Sequence, residues 1–195
     1  YPLEIISRAL LRIGDGPIDS LDSSEPVVVA AKSIFPMIFD EAVAQWEWTF
    51  ARKRTEITDQ PTDQPEKGVY FTLPDDFIQL LHIDHFEYSV EGKYLWFGDD
   101  FDHNSVEILY IRSLVDFDGI SGDPIITEGT ALPPTFATAV SSRLAGDLAS
   151  QYAGNIELAR ILQGEYSGLI RQAIGEDAMR LPKDKQTPPL WIDIT

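Results

Sequence analysis

The hydrophobic period changes twice along this 195-residue chain, and those changes constrain its fold more than any single motif. From Leu3 to Ile13, apolar Leu3, Ile6, Leu10 and Ile13 recur at helical spacing. From Val27 to about Lys53 the same spacing runs through Ala31, Ile34, Ile38, Ala42, Trp46 and Phe50. Past Glu56 the pattern breaks into short alternating runs, which are the mark of half-buried strands. Helical spacing then returns from Thr135 to about Tyr152 and from Ile156 to about Met179.

Punctuation agrees with this division. Pro2 suits the first turn of a helix, and Gly14–Asp15–Gly16–Pro17 stops it. Asp22 to Ser24 offer N-caps for the second helix, Pro36 predicts a kink within it, and Arg52, Lys53 and Arg54 oppose the dipole at its end. Pro61 and Pro65 mark a linker, and Pro133–Pro134 leads into the third helix. Short strands are expected at Tyr70–Leu73, Leu80–Phe86, Tyr88–Val90, Tyr94–Phe97 and Val106–Arg112, forming one sheet too small for a large core of its own. The expected fold is therefore mainly α: a four-helix bundle with a small antiparallel β module inserted between the second and third long helical segments, and an extended C-terminal tail. The expected divisions are 1–55 for the first half of the bundle, 56–133 for the acidic β-rich insertion, 134–180 for the second half and 181–195 for a docking tail.

Charge follows the same partition. Glu56 to Asp123 holds 16 acidic residues against Lys67, Lys93 and Arg112, whereas each flank holds eight acids and six bases. With an isoelectric point near 4.3, the chain does not suit ordinary phosphate-backbone binding, which depends on Lys and Arg. There is no cysteine, so disulfides, thiol chemistry and thiolate zinc sites are excluded. No apolar run approaches the length of a membrane helix, and the first residues do not make a signal peptide. The chain starts at Tyr1 without methionine, so a few residues are expected to precede it.

Catalytic patterns are sparse, and no enzyme activity is expected. His82 and His85 would face opposite sides of a strand and cannot jointly hold a metal without a bulge. Asp99, Asp100, Asp102 and Asn104 lack the glycine and distal glutamate of an EF-hand loop. Gly14-x-Gly16 lacks the full pattern of a dinucleotide site. No cofactor or metal site is expected. Trp46 falls on the apolar stripe of the second helix and reads as core, while Trp48 points elsewhere and reads as a contact with a neighbouring subunit or the β module. The tail beyond Leu181 ends in Leu190–Trp191–Ile192–Asp193–Ile194, an apolar run after a proline-rich spacer. Leu190, Trp191, Ile192 and Ile194 are expected to dock on a neighbouring copy, as an added strand.

Several patches in order resemble one family. They are Leu11–Arg12–Ile13–Gly14, Pro17–Ile18–Asp19–Ser20–Leu21, Trp48–Thr49–Phe50–Ala51, Leu73–Pro74–Asp75–Asp76–Phe77, Val90–Glu91–Gly92–Lys93–Tyr94–Leu95 and Tyr110–Ile111–Arg112. Pro134-x-Phe136, Leu144–Ala145 and Glu165–Tyr166 continue the series. Together they resemble the tail tubular protein A family of short-tailed bacteriophages, the head-to-tail adaptor or gatekeeper ring. The resemblance runs from Leu11 to about Ala178 and does not reach the tail.

The resemblance implies a helical bundle with a β insertion, assembled as a ring of twelve copies beneath the portal and above the tail nozzle. It implies a virion protein of the head–tail junction, put together in the host cytoplasm, without catalytic residues or a membrane. DNA would pass through the ring without specific binding. If the acidic insertion faces that channel, Asp99, Asp100 and Asp102 are the candidate lining residues, since acids repel phosphate. Arg52, Lys53 and Arg54 are candidate contacts between subunits. The alternatives are an adaptor of a long-tailed phage and an acidic module that masks a basic partner.

Overall fold

The computed structural model describes residues 1–84, 87–119, 121–127 and 129–180. Its helices are α1 (Pro2–Ile13), α2 (Pro26–Val43), α3 (Pro134–Gln151) and α4 (Ile156–Ala178). Proline opens the first three, at a position where the missing N–H costs no hydrogen bond. Glu25 is the residue that precedes α2, so the expected capping by Asp22 to Ser24 does not occur. Gly14 ends α1 in the left-handed conformation, and Asn155 caps α4 by accepting the Leu158 N–H at 2.9 Å. Helix α2 runs unbroken through Pro36 but stops at Val43, ten residues short of the expected end.

Eight strands lie between α2 and α3: β1 (Arg52–Ile57), β2 (Val69–Thr72), β3 (Phe77–Ile83), β4 (Tyr88–Glu91), β5 (Tyr94–Phe97), β6 (Val106–Arg112), β7 (Val115–Phe117) and β8 (Pro124–Ile126). The expectation of a mainly α four-helix bundle is thereby corrected. The chain is 40% helix and 22% strand, the strands forming three antiparallel sheets, and this is a mixed α/β fold. The helical reading absorbed β1 because Arg52, Lys53 and Arg54 show no apolar alternation. β1 is instead held by backbone pairing with β6, from Arg52 opposite Ile111 to Ile57 opposite Val106.

Two compact units result, one from Ala51 to Leu114 and the other from Tyr1–Phe50 together with the chain from Val115 onward. In the helical unit α3 is central, packed by α1, α2 and α4. Its buried face is rich in small residues, Ala139, Ala145, Gly146 and Ala149. At Gly146 an added methyl group would stand 3.5 Å from the Ala159 carbonyl oxygen, which shows how closely α4 approaches. Arg12 of α1 donates to Ser142 of α3 at 2.6 Å and pairs with Glu165 of α4, tying three helices at one point. The β7–β8 hairpin belongs to this unit, and Lys32 of α2 pairs with Asp123 beside it.

The β unit contains two three-stranded sheets, ordered β1-β6-β3 and β2-β5-β4. They share one core of Ile57, Phe71, Leu95, Phe97, Ile108, Tyr110 and their neighbours. This differs from the expected single sheet, too small for a large core of its own. Three short strands cannot bury much by themselves, but two such faces pressed together can.

Candidate functional site

After α2 the chain makes a tight turn in which Trp48 folds back. Its indole N–H donates at 3.0 Å to the Ala42 carbonyl at the helix end, beside the longer bond from the Gln45 N–H. The ring lies 4.9 Å from Phe136, edge to face, and Phe50 and Phe39 pack on the same Phe136 ring. Asp177 of α4 then accepts both the N–H of Thr49 at 2.9 Å and its hydroxyl at 2.6 Å. The two tryptophans therefore exchange their expected places. Trp48 is fully buried and Trp46 is partly exposed, because residues beyond Val43 no longer follow the helical period. Trp48 is not available to a neighbouring subunit.

Of the three basic candidates, Lys53 and Arg54 form ion pairs within the β unit. Lys53 reaches Asp76 at 2.9 Å, and Arg54 reaches Glu107 at 2.6 Å. Arg52 also lies on β1. With these residues included, the β unit holds thirteen acids and six bases, while Asp116, Asp118 and Asp123 fall in the helical unit. The excess of acid is thus shared between the units rather than confined to the insertion.

Asp76 joins three parts of the β unit. It accepts from Lys53 and, at 2.7 Å, from the Tyr110 hydroxyl, while its backbone carbonyl accepts the Ser113 N–H at 2.7 Å. Partial burial alone would raise this carboxyl, but the Tyr110 and Lys53 hydrogen bonds, with the charges of Lys53 and Arg112, hold it below its ordinary range. Burial and the neighbouring carboxylate push the Tyr110 phenol well above its own. Below the usual carboxylate range the unfolded chain therefore binds more protons here than the folded one, so stability rises with pH through that window. The contribution is complete above the unfolded value of about 3.9 and is lost as pH falls through the lower folded value. Acid titration of β-unit stability should show this loss, and Asp76→Asn should flatten it.

Asp99, Asp100 and Asp102 are exposed on the loop between β5 and β6. What shapes this loop is Phe101 between them, whose ring stacks on Phe97 at 4.2 Å and meets Phe71 edge to face. Phe101 is only 8% exposed, so the flanking acids are turned outward. A turn bond from the Phe101 N–H to the Gly98 carbonyl and a 2.7 Å bond from the Gly68 N–H to Asp99 fix the loop at its start. Periodicity missed Phe101, which is a lone apolar residue in a polar run; its size among small acids was the available signal.

Among the described residues no three histidine or acidic side chains converge as metal ligands, and no helix is long and apolar enough to cross a membrane. His82 bonds to Asp84 at 2.7 Å, and His85 lies outside the described residues. Leu190, Trp191, Ile192 and Ile194 lie outside them as well. No protein-family model matches the chain, and no curated protein matches it.

Proposed function

We propose that this chain is a structural head-to-tail adaptor of a phage virion. Copies would form a ring below the portal, join it to the tail nozzle and leave a channel through which DNA exits, with no catalytic role. The observation that carries the reading is the acidic loop held rigidly outward by Phe101 on a β unit with its own core. Acids presented in this way repel a duplex rather than hold it, which is what a conduit requires.

Other features support it. The β unit begins and ends on the paired strands β1 and β6, and the Arg112 N–H donates to the Ala51 carbonyl at 3.0 Å where the chain enters and leaves. The resemblance to adaptor proteins rests on patches that fall at structurally occupied points. Leu73–Phe77 contains the Asp76 hub, and Val90–Leu95 forms the β4–β5 hairpin with Gly92 at positive φ. On the helical unit Met37 of α2 and Ile156 and Ile161 of α4 are each more than half exposed, offering apolar surface for head-to-tail contact between copies. The partners are further copies, twelve by the resemblance, with the portal and the nozzle.

Particles carrying Asp99→Asn, Asp100→Asn and Asp102→Asn together test the channel assignment. Asparagine preserves an acceptor for the Gly68 N–H, so assembly should be normal. DNA ejection should slow, or DNA should be retained in the tail. Normal assembly with unchanged ejection kinetics would remove these residues from the channel.

A further inference from the structure

Four strands of the β unit lie at sheet edges, β1 and β3 in one sheet and β2 and β4 in the other. Two of these edges are closed by the chain itself. On β2, Tyr70 and Thr72 turn their N–H groups away from β5; the Gln64 side chain accepts the first at 2.8 Å and the Asp59 carbonyl the second at 2.8 Å. β3 is broken by register shifts between Phe77 and Gln79 and between Leu80 and His82, which spoil it as a template. β1 and β4 have no such cover among the described residues. The Arg112 N–H donates to the Ala51 carbonyl, so alternation along β1 turns the N–H and C=O of Arg54 and Glu56 away from β6. The Leu73 N–H donates to the Lys93 carbonyl, so β5 bonds β2 through Leu95 and Phe97, and β4 through Tyr94 and Trp96. The N–H and C=O of Tyr88 and Val90 therefore point outward. Their side chains are 42% and 45% exposed, on the face of the sheet from which Leu95 and Phe97 enter the core.

Charge decides which strands these edges accept. Residues 87–91 hold Glu87 and Glu91 and no base, a net of −2, whereas β1 holds Arg52, Lys53 and Arg54 against Glu56, a net of +2. Two β4 edges, or two β1 edges, would set like charges side by side, which is destabilising; β1 beside β4 sets opposite ones. Ion pairs within the unit leave room for this. Arg54 gives only Nη1 to Glu107, both side chains being 57% exposed, and Lys53 keeps N–H donors beside its bond to Asp76. A groove beside β1, lined by Thr55, Ile57, Thr72 and Pro74, provides space for an added strand. We infer that β4 of one copy adds to β1 of a second copy as an antiparallel strand, with Val90 opposite Arg54 and Glu91 opposite Lys53. The two surfaces differ, so the contact propagates head to tail. It rests on the ring reading for the closure of that series of contacts and stands without the portal or the DNA.

A chain without cysteine allows a direct test by disulfide trapping. In this register Thr55 of one copy and Ser89 of the other form a non-hydrogen-bonded pair, the closer kind. Full chains carrying Thr55→Cys or Ser89→Cys, one of them isotopically labelled so that mass identifies each product, are mixed and oxidised with copper phenanthroline, alone and with portal rings. The mixed dimer should form about tenfold faster than either homotypic dimer, because opposite rather than like charges meet. Adding Val90→Pro to the Ser89→Cys chain should abolish that excess. The substitution removes an N–H that β5 does not use, so the β unit should keep its circular dichroism spectrum. No excess of mixed dimer in either sample would overturn the inference, and so would a faster Ser89→Cys homodimer, in which two β4 edges meet. Mixed dimer formed by chains that leave portal rings bare would support this contact and contradict the adaptor reading. Rings stacked on the portal without mixed dimer would do the reverse.

Discussion

Trp48→Ala should destabilise the helical unit by about 3–5 kcal/mol, the range for truncating a fully buried aromatic side chain. The ring is 0% exposed and lies against Phe136, which also packs on Phe39 and Phe50, so its removal opens a cavity at the centre of an aromatic cluster. It also removes the indole hydrogen bond to the Ala42 carbonyl at the end of α2, where the longer bond from the Gln45 N–H at 3.4 Å remains. Trp48→Phe separates the two effects. It keeps most of the packing and loses the hydrogen bond, for a cost nearer 1 kcal/mol. Trp46→Ala, at a partly exposed ring, should cost less than Trp48→Ala. Denaturant unfolding followed by circular dichroism gives all three values. A Trp48→Ala chain that is nearly as stable as the parent but fails to assemble would restore Trp48 to a subunit interface.

Phe101→Ala is the corresponding test in the β unit, with an expected loss of about 3 kcal/mol. Its ring fills the space between Phe97 and Phe71, and its backbone N–H closes the turn that begins the acidic loop. Loss of the ring should do more than weaken the core. It should release the loop, so the Gly68 amide, which is bonded to Asp99, should exchange with solvent faster. Amides of β5 and β6 should exchange faster too, while those of α3 change little because α3 lies in the other unit. Uniform acceleration across both units would show that they unfold as one body. A slow Gly68 amide in the variant would show that Phe101 does not hold the loop.

The helices with strong period and clear stops were legible in the sequence. Pro2 and Gly14 bound α1, Pro134 opens α3 and Asn155 opens α4. The strands Tyr94–Phe97 and Val106–Arg112 were legible too. The end of α2 was not. Ala42, Trp46 and Phe50 keep helical spacing by coincidence, and what ends the helix is distant: Phe136 and Asp177 draw Trp48 and Thr49 out of its path. β1 was hidden because Lys53 and Arg54 find their carboxylates, Asp76 and Glu107, far along the chain. Arg52, Lys53 and Arg54 therefore belong to the acidic unit and offset part of its charge. The exposure of Asp99, Asp100 and Asp102 was legible from composition, but the anchor that makes their loop a defined surface was not.

Negative-stain images of the purified chain mixed with rings of its matching portal protein test the adaptor reading most directly. The expected result is a second ring stacked coaxially on one face of the portal, with an open hole along the shared axis. Portal rings that stay bare while the chain remains monomeric would contradict it.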